Sequence, residues 1–177
     1  MKKIFCAIFA ISLVAAGAVL PVFADDATVT LGQNGAPDQT LVTTNCRAAQ
    51  SLISQIERAD SVTRINRGQS YNDIVDLFFA MNTRVSSNNV AAPKLTELVN
   101  SLQSEISDFH TDYDNYDDSL NKLTSDDCTT DPTTFYNDLV QARTLMDRLN
   151  ATVAKIDNSI SGYKVEIASV ISQRSAK

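Results

Sequence analysis

Tryptophan is absent from this 177-residue chain and histidine occurs once, as His110. A lone histidine removes the zinc sites built on paired histidines and leaves the common hydrolase triads a single possible base. Glycine is nearly as scarce. Beyond Thr44 only Gly68 and Gly162 remain, so a glycine-rich phosphate loop and a nucleophile elbow are both missing. With no catalytic residue and no cofactor motif in view, the chain reads as not an enzyme. Proline past Thr44 is limited to Pro93 and Pro132, and a stretch so poor in breakers reads as long helices.

Basic residues are the minority charge, 15 Lys and Arg against 21 Asp and Glu. Two of them, Lys2 and Lys3, precede an apolar run from Ile4 to Leu20, and Pro21-Val22-Phe23-Ala24 leads into Asp25-Asp26. That is the pattern of a bacterial-type secretory signal peptide cleaved after Ala24, which predicts an extracytoplasmic, secreted product. The alternative is retention as a membrane anchor, and the 17 apolar residues stand at the lower limit for a span. Cys6 lies too early to be a lipoprotein cysteine. The 153 residues after Ala24 suit one domain with no further membrane span, and their net charge near −8 argues against a nucleic-acid partner. Two cysteines persist, Cys46 and Cys128, and in an exported chain they are expected to form a disulfide.

Residues 25–43 contain Gly32, Gly35 and Pro37 without helical period and read as a flexible lead-in. The helical bundle is expected over 44–172, followed by a short polar tail, 173–177. From Pro93, the residues Leu95, Val99, Leu102, Ile106, Phe109, Tyr113, Tyr116, Leu120 and Leu123 alternate steps of four and three, a continuous heptad seam. Geometry then turns Asp108, Asp112, Asp114, Asp117 and Asp118 toward water. After Asp131 as N-cap and Pro132 at the first helical position, a second seam runs from Phe135 through Leu139, Ala142, Met146, Leu149, Val153, Ile156, Ile160, Tyr163 and Ile167 to Val170. A third register, Cys46, Ala49, Ile53, Ile56, Asp60, Thr63, Arg67, Ser70, Ile74, Leu77, Met81 and Arg84, is polar in its middle, and Gly68 resembles a helix stop.

A hairpin at Gly68 would give a four-helix up-and-down bundle with Cys46 about 50 Å from the Cys128 turn, at about 1.5 Å of rise per residue. A helix continuing through Gly68 brings the two cysteines level. The predicted fold is therefore an all-α, elongated antiparallel three-helix bundle with coiled-coil-like seams.

Four constellations stand out. The same height arithmetic sets Asp60, Arg64 and Arg67 level with Tyr113, Tyr116 and Arg143, with Asp60 expected to pair with one of the first two arginines. Such a polar belt is either an alignment device for the heptads or a small-anion pocket. Asp117, Asp118, Asp126, Asp127 and Asp131 gather around Cys128 as an acidic end, read as a solubilising cap or a divalent-metal site. His110, Asp114 and Asp117 share a helical flank at ligand spacing, although an EF-hand starting at Asp112 fails at its sixth and twelfth positions. Finally, the last helix outlasts the middle one, so Tyr163, Ile167 and Val170, with Val165 and Ile171 beside them, form an expected interaction end unless the Ser87 to Ala92 turn covers them.

The succession RINRGQSY, DYDNYDDSL, DDC and DPTTFYNDLVQAR behind a signal peptide resembles uncharacterised secreted helical proteins of small-genome candidate-phylum bacteria, over residues 44–150. The resemblance implies an exported, disulfide-linked helical protein and carries over no active site. The function expected from the residues is a secreted, non-enzymatic helical-bundle module that binds a protein or cell-envelope partner, self-association included. The alternatives are small-anion binding in the arginine and tyrosine belt and divalent-metal binding at the acidic end.

Overall fold

A computed structural model describes residues 38–175. The expected signal peptide, most of the lead-in and the last two residues of the tail lie outside them. Three helices, α1 (Gln39–Ser87), α2 (Pro93–Ser125) and α3 (Pro132–Ser175), form a three-helix bundle, with no strand among the described residues. No helix among these residues is long and apolar enough to cross a membrane.

The helix ends follow from local chemistry. Asp38 accepts the Thr40 amide at 2.9 Å and starts α1, so residues 39–43, expected in the lead-in, are helical. Past Asn88, Asn89 adopts φ 56°, and its amide reaches Ser86 O while that of Val90 reaches Val85 O. This pair of bonds is a Schellman stop, in which asparagine tolerates the left-handed conformation that glycine usually takes. Pro93 opens α2 at a position where a missing N–H costs nothing. Asp131 accepts the Thr134 amide at 3.0 Å and caps α3.

Gly68 stops nothing. It is buried in the interior of α1, and a Cβ there would meet His110 Cε1 of α2 at 3.1 Å. The missing side chain lets the imidazole sit close against the α1 backbone, so the glycine serves approach rather than a turn. With α1 continuous, Cys46 and Cys128 come level and are joined by a disulfide, Cα atoms 5.6 Å apart.

All nine seam residues expected on α2 are buried, and the α3 seam is buried or half-buried throughout. On α1 the expected register holds only at its start. Cys46 and Ile53 are buried, but Ile56 and Leu77 are 45% and 56% exposed, while Tyr71, Val75 and Phe78 face inward. The buried series passes Asp60, Arg64 and Gly68 in two successive steps of four and continues one residue later. A straight α-helix drifts about 20° per heptad from a 3.5-residue repeat, so about five heptads accumulate roughly 100°, one residue's worth. α1 corrects the drift by this step. α2 packs on both neighbours, and α1 and α3 touch each other least.

Gly68→Ala sets a helix-propensity gain of about 1 kcal/mol against crowding of His110. Denaturant unfolding should show little net change in the wild-type background and a gain of about 0.5 to 1 kcal/mol in His110→Ala, where the ring is gone. The same effect in both backgrounds would show that the ring does not govern the position.

Candidate functional site

A second line of residues on α3 recurs every seven positions beside the apolar seam: Asp138, Leu145, Thr152, Ser159 and Glu166. Four of them meet polar partners on α2, whose numbers fall as those of α3 rise. Lys122 Nζ donates to Asp138 Oδ1 at 2.6 Å. Thr152 Oγ1 donates to Asp112 Oδ2 at 2.6 Å, Ser159 Oγ to Glu105 Oε1 at 2.9 Å, and Lys94 Nζ pairs with Glu166 Oε2 at 3.0 Å. Asp112, placed toward water by the heptad reading, is 2% exposed. Its Oδ1 lies 2.6 Å from Arg148 Nε, a charge contact not aligned as a hydrogen bond. A slip of one heptad one way would set this buried carboxylate against Leu145, and a slip the other way would set Glu105 against Glu166, so the rungs fix the alignment of α2 on α3. Leucine seams alone would not.

The belt expected across the middle assembles in part. Tyr116 donates its hydroxyl to Asp60 Oδ2 at 3.3 Å. Arg64 does not pair with Asp60. Its Nη1 reaches Asp114 Oδ1 at 2.8 Å, and its guanidinium carbon lies 5.4 Å from the Tyr113 ring centroid. Arg67 is exposed but lines the same space. Arg143 stays outside: it sits one position past the buried Ala142, is exposed, and makes no side-chain hydrogen bond or ion pair among the described residues. Asp60, Arg64, Arg67, Tyr113 and Asn150 border a cavity of about 60 Å³. The Tyr113 hydroxyl is buried and finds no protein partner.

Burial governs the titration of this group. It raises Asp60 above the ordinary carboxylate range, with the Tyr116 hydroxyl opposing and the Asp117 charge adding. Burial also raises Tyr113, with Asp60 adding, and pushes Tyr116 up to about 12, again with Asp60 adding. Both phenols therefore stay neutral at physiological pH, and Tyr116 is the one that donates.

The acidic end is put to local use. Asp127 Oδ1 accepts from Thr129 and Thr130, which holds its carboxyl below the usual range, and Asp131 is held low by Thr134 in the same way. Among the described residues no group of three or more His, Cys, Asp or Glu is placed to hold a metal ion. His110 packs on Gly68 and Asp114 is engaged by Arg64, so the flank shared with Asp117 does not converge. Gln50, which sequence reasoning passed over, reaches from α1 to the end of α2. Its Nε2 lies 3.1 Å, 3.3 Å and 2.7 Å from the carbonyls of Leu123, Thr124 and Asp126, satisfying acceptors that a helix end leaves free.

The expected interaction end is instead core. Tyr163 is 1% exposed, stacks on Phe78 with centroids 3.7 Å apart, and donates its hydroxyl to Asn82 Oδ1 at 2.8 Å. Ile167 is buried and Val170 half-buried. Phe78 and Asn82 of α1 cover Tyr163, and α2 also reaches this level, where Lys94 pairs with Glu166. Only Val165 and Ile171 of that group are exposed.

The rung at Asp112 is asymmetric, because Asp112 is buried and Arg148 is not. Arg148→Ala leaves the carboxylate without its cation and should cost about 3 kcal/mol. Asp112→Asn keeps a partner for Thr152 and should cost about 1 kcal/mol. Urea unfolding of the two variants checks the order; a larger loss in Asp112→Asn would overturn it.

No family model, curated protein or solved structure matches the chain.

Proposed function

We propose that the protein is an exported, non-enzymatic helical-bundle module that binds a protein or cell-envelope partner along the outward face of α1. The distribution of exposed apolar side chains carries this reading. Of the ten large hydrophobic residues exposed among the described residues, seven lie on α1: Leu41, Leu52, Ile56, Val62, Ile65, Leu77 and Phe79. α2 has none. At about 100° per residue, Leu41, Leu52 and Leu77 fall within about 20° of one another around the helix, with Ile56 about 40° from Leu52 and about 60° from the other two. These side chains form two exposed apolar patches, Leu41, Leu52 and Ile56 toward one end and Leu77 toward the other, with Thr63, Asn66 and Ser70 between them, and exposed apolar patches mark interaction faces. One residue-level fact favours a non-enzymatic role: Cys46 and Cys128 are tied to each other, so neither is a thiol nucleophile.

A second reading, a small-anion site in the mid-bundle cavity, is favoured by the unpartnered Tyr113 hydroxyl beside Arg64 and Arg67. Asp60 weakens it, because its carboxylate lines the same space without a cation of its own.

The double change Leu52→Asp and Ile56→Asp tests the first reading. Binding of the purified protein to isolated cell-envelope fractions, or its self-association in sedimentation, should fall at least about tenfold. Helical signal and melting midpoint should stay near wild type, since both residues already face water. Unchanged binding would overturn the assignment of the face. For the second reading, calorimetric titration with nitrate or formate should give heat in wild type and none in Tyr113→Phe.

A further inference from the structure

Asp126, at the end of α2, and Asp138, in the second turn of α3, bring their carboxyl groups within hydrogen-bonding reach of each other beside Cys128. Asp138 is 8% exposed, more than nine-tenths buried. One oxygen of each, Oδ2, is buried without a protein donor. Two ionised carboxylates in that position would repel, and both oxygens would remain unsatisfied. A single proton makes one group the donor and the other the acceptor, and so meets both demands. We propose that Asp126 and Asp138 hold one proton between them, forming an acid-tightened clasp that closes the α2–α3 turn around the disulfide.

The surrounding charges assign the proton. From α2, Lys122 engages the Asp138 carboxyl through Oδ1 at 2.6 Å and leaves Oδ2 facing Asp126. From the turn, Asp131 adds negative charge near Asp126. α1 contributes the neutral Gln50 amide, bound to the Asp126 carbonyl. Asp126 is therefore the carboxylic acid: burial raises its pKa above 3.8, Asp138 adds to the rise, and Lys122 opposes it. A folded-state value above the unfolded one means that the clasp contributes fully below 3.8 and is lost as pH rises through the raised value. Asp127 and Asp131, both held low, work in the opposite sense and weaken the turn only in stronger acid. The effect must accordingly be read at the pair itself.

Carbon-13 NMR of the aspartate carboxyls in the oxidised full chain, titrated from about pH 3 to about pH 8, is the direct test. Asp126 should titrate above the ordinary carboxylate range, and Asp138 should respond at the same pH because the pair shares the proton. In Asp126→Asn, where an amide donates permanently, that shared step should vanish. Protection of the turn amides against hydrogen exchange, compared at each pH with Asp126→Asn, should be lost across the wild-type step. Independent titration of both groups at ordinary values would overturn the proposal. So would a midpoint displaced by added calcium ion, which would assign the space to a metal. The wild-type titration decides the matter even if the variant folds poorly.

Discussion

The carboxylate of Asp112 is the group on which the arrangement of α2 and α3 most depends. Heptad seams attract without choosing among alignments, since leucine, isoleucine and valine pack acceptably one repeat away. A buried charge cannot be so indifferent. With Thr152 as donor and Arg148 as counter-ion it is served in the native register; a slip of one heptad one way leaves it opposite Leu145, and a slip the other way, which offers Ser159, sets Glu105 against Glu166. The rungs at Glu105, Asp138 and Glu166 repeat the same choice along the interface. The alignment of α2 and α3 then sets the height of the turn carrying Cys128, and so where Cys46 must lie.

That dependence also separates what could be read in the residue order from what could not. The whole α2 seam follows from periodicity, because one unbroken apolar stripe has a single way to be buried; the two prolines mark helix starts, and the number of helices follows from bringing Cys46 level with Cys128. The α1 register failed past Asp60 for a reason of scale: a heptad template is locally accurate, and its error grows with length until a real helix steps aside. The rungs were present as a heptad line on α3, from Asp138 to Glu166, but polar residues flanking a seam usually face water. Nothing in the residue types distinguished Asp112 from Asp108. The belt was legible as a set of levels and not as a set of pairs, since height along a bundle does not say which way a guanidinium turns; Arg64 turned outward to Asp114, and Arg143 lies off the face.

α1 is the least committed of the three helices. Its inner face mixes core residues with Asp60, Arg64 and Gly68, it leans mainly on α2, and it carries most of the apolar side chains left in water. α2 and α3 bury continuous seams and hold polar rungs between them. α2 and α3 thus form the more closely joined pair, and α1 lies against it with its outer side exposed, the side proposed for binding.

The Cys46–Cys128 bond has a mechanical consequence. It closes a covalent ring containing nearly all of α1, the whole of α2 and the turns that join them. Tension applied between residues 38 and 175 would pass through the sulfurs, and the ring would bear none of it. Its 82-residue separation, worth about 270 to 300 Å of extended chain at 3.3–3.6 Å per residue, stays hidden while the bond is oxidised. Stretching would then draw length almost wholly from α3, and reduction alone would release the rest.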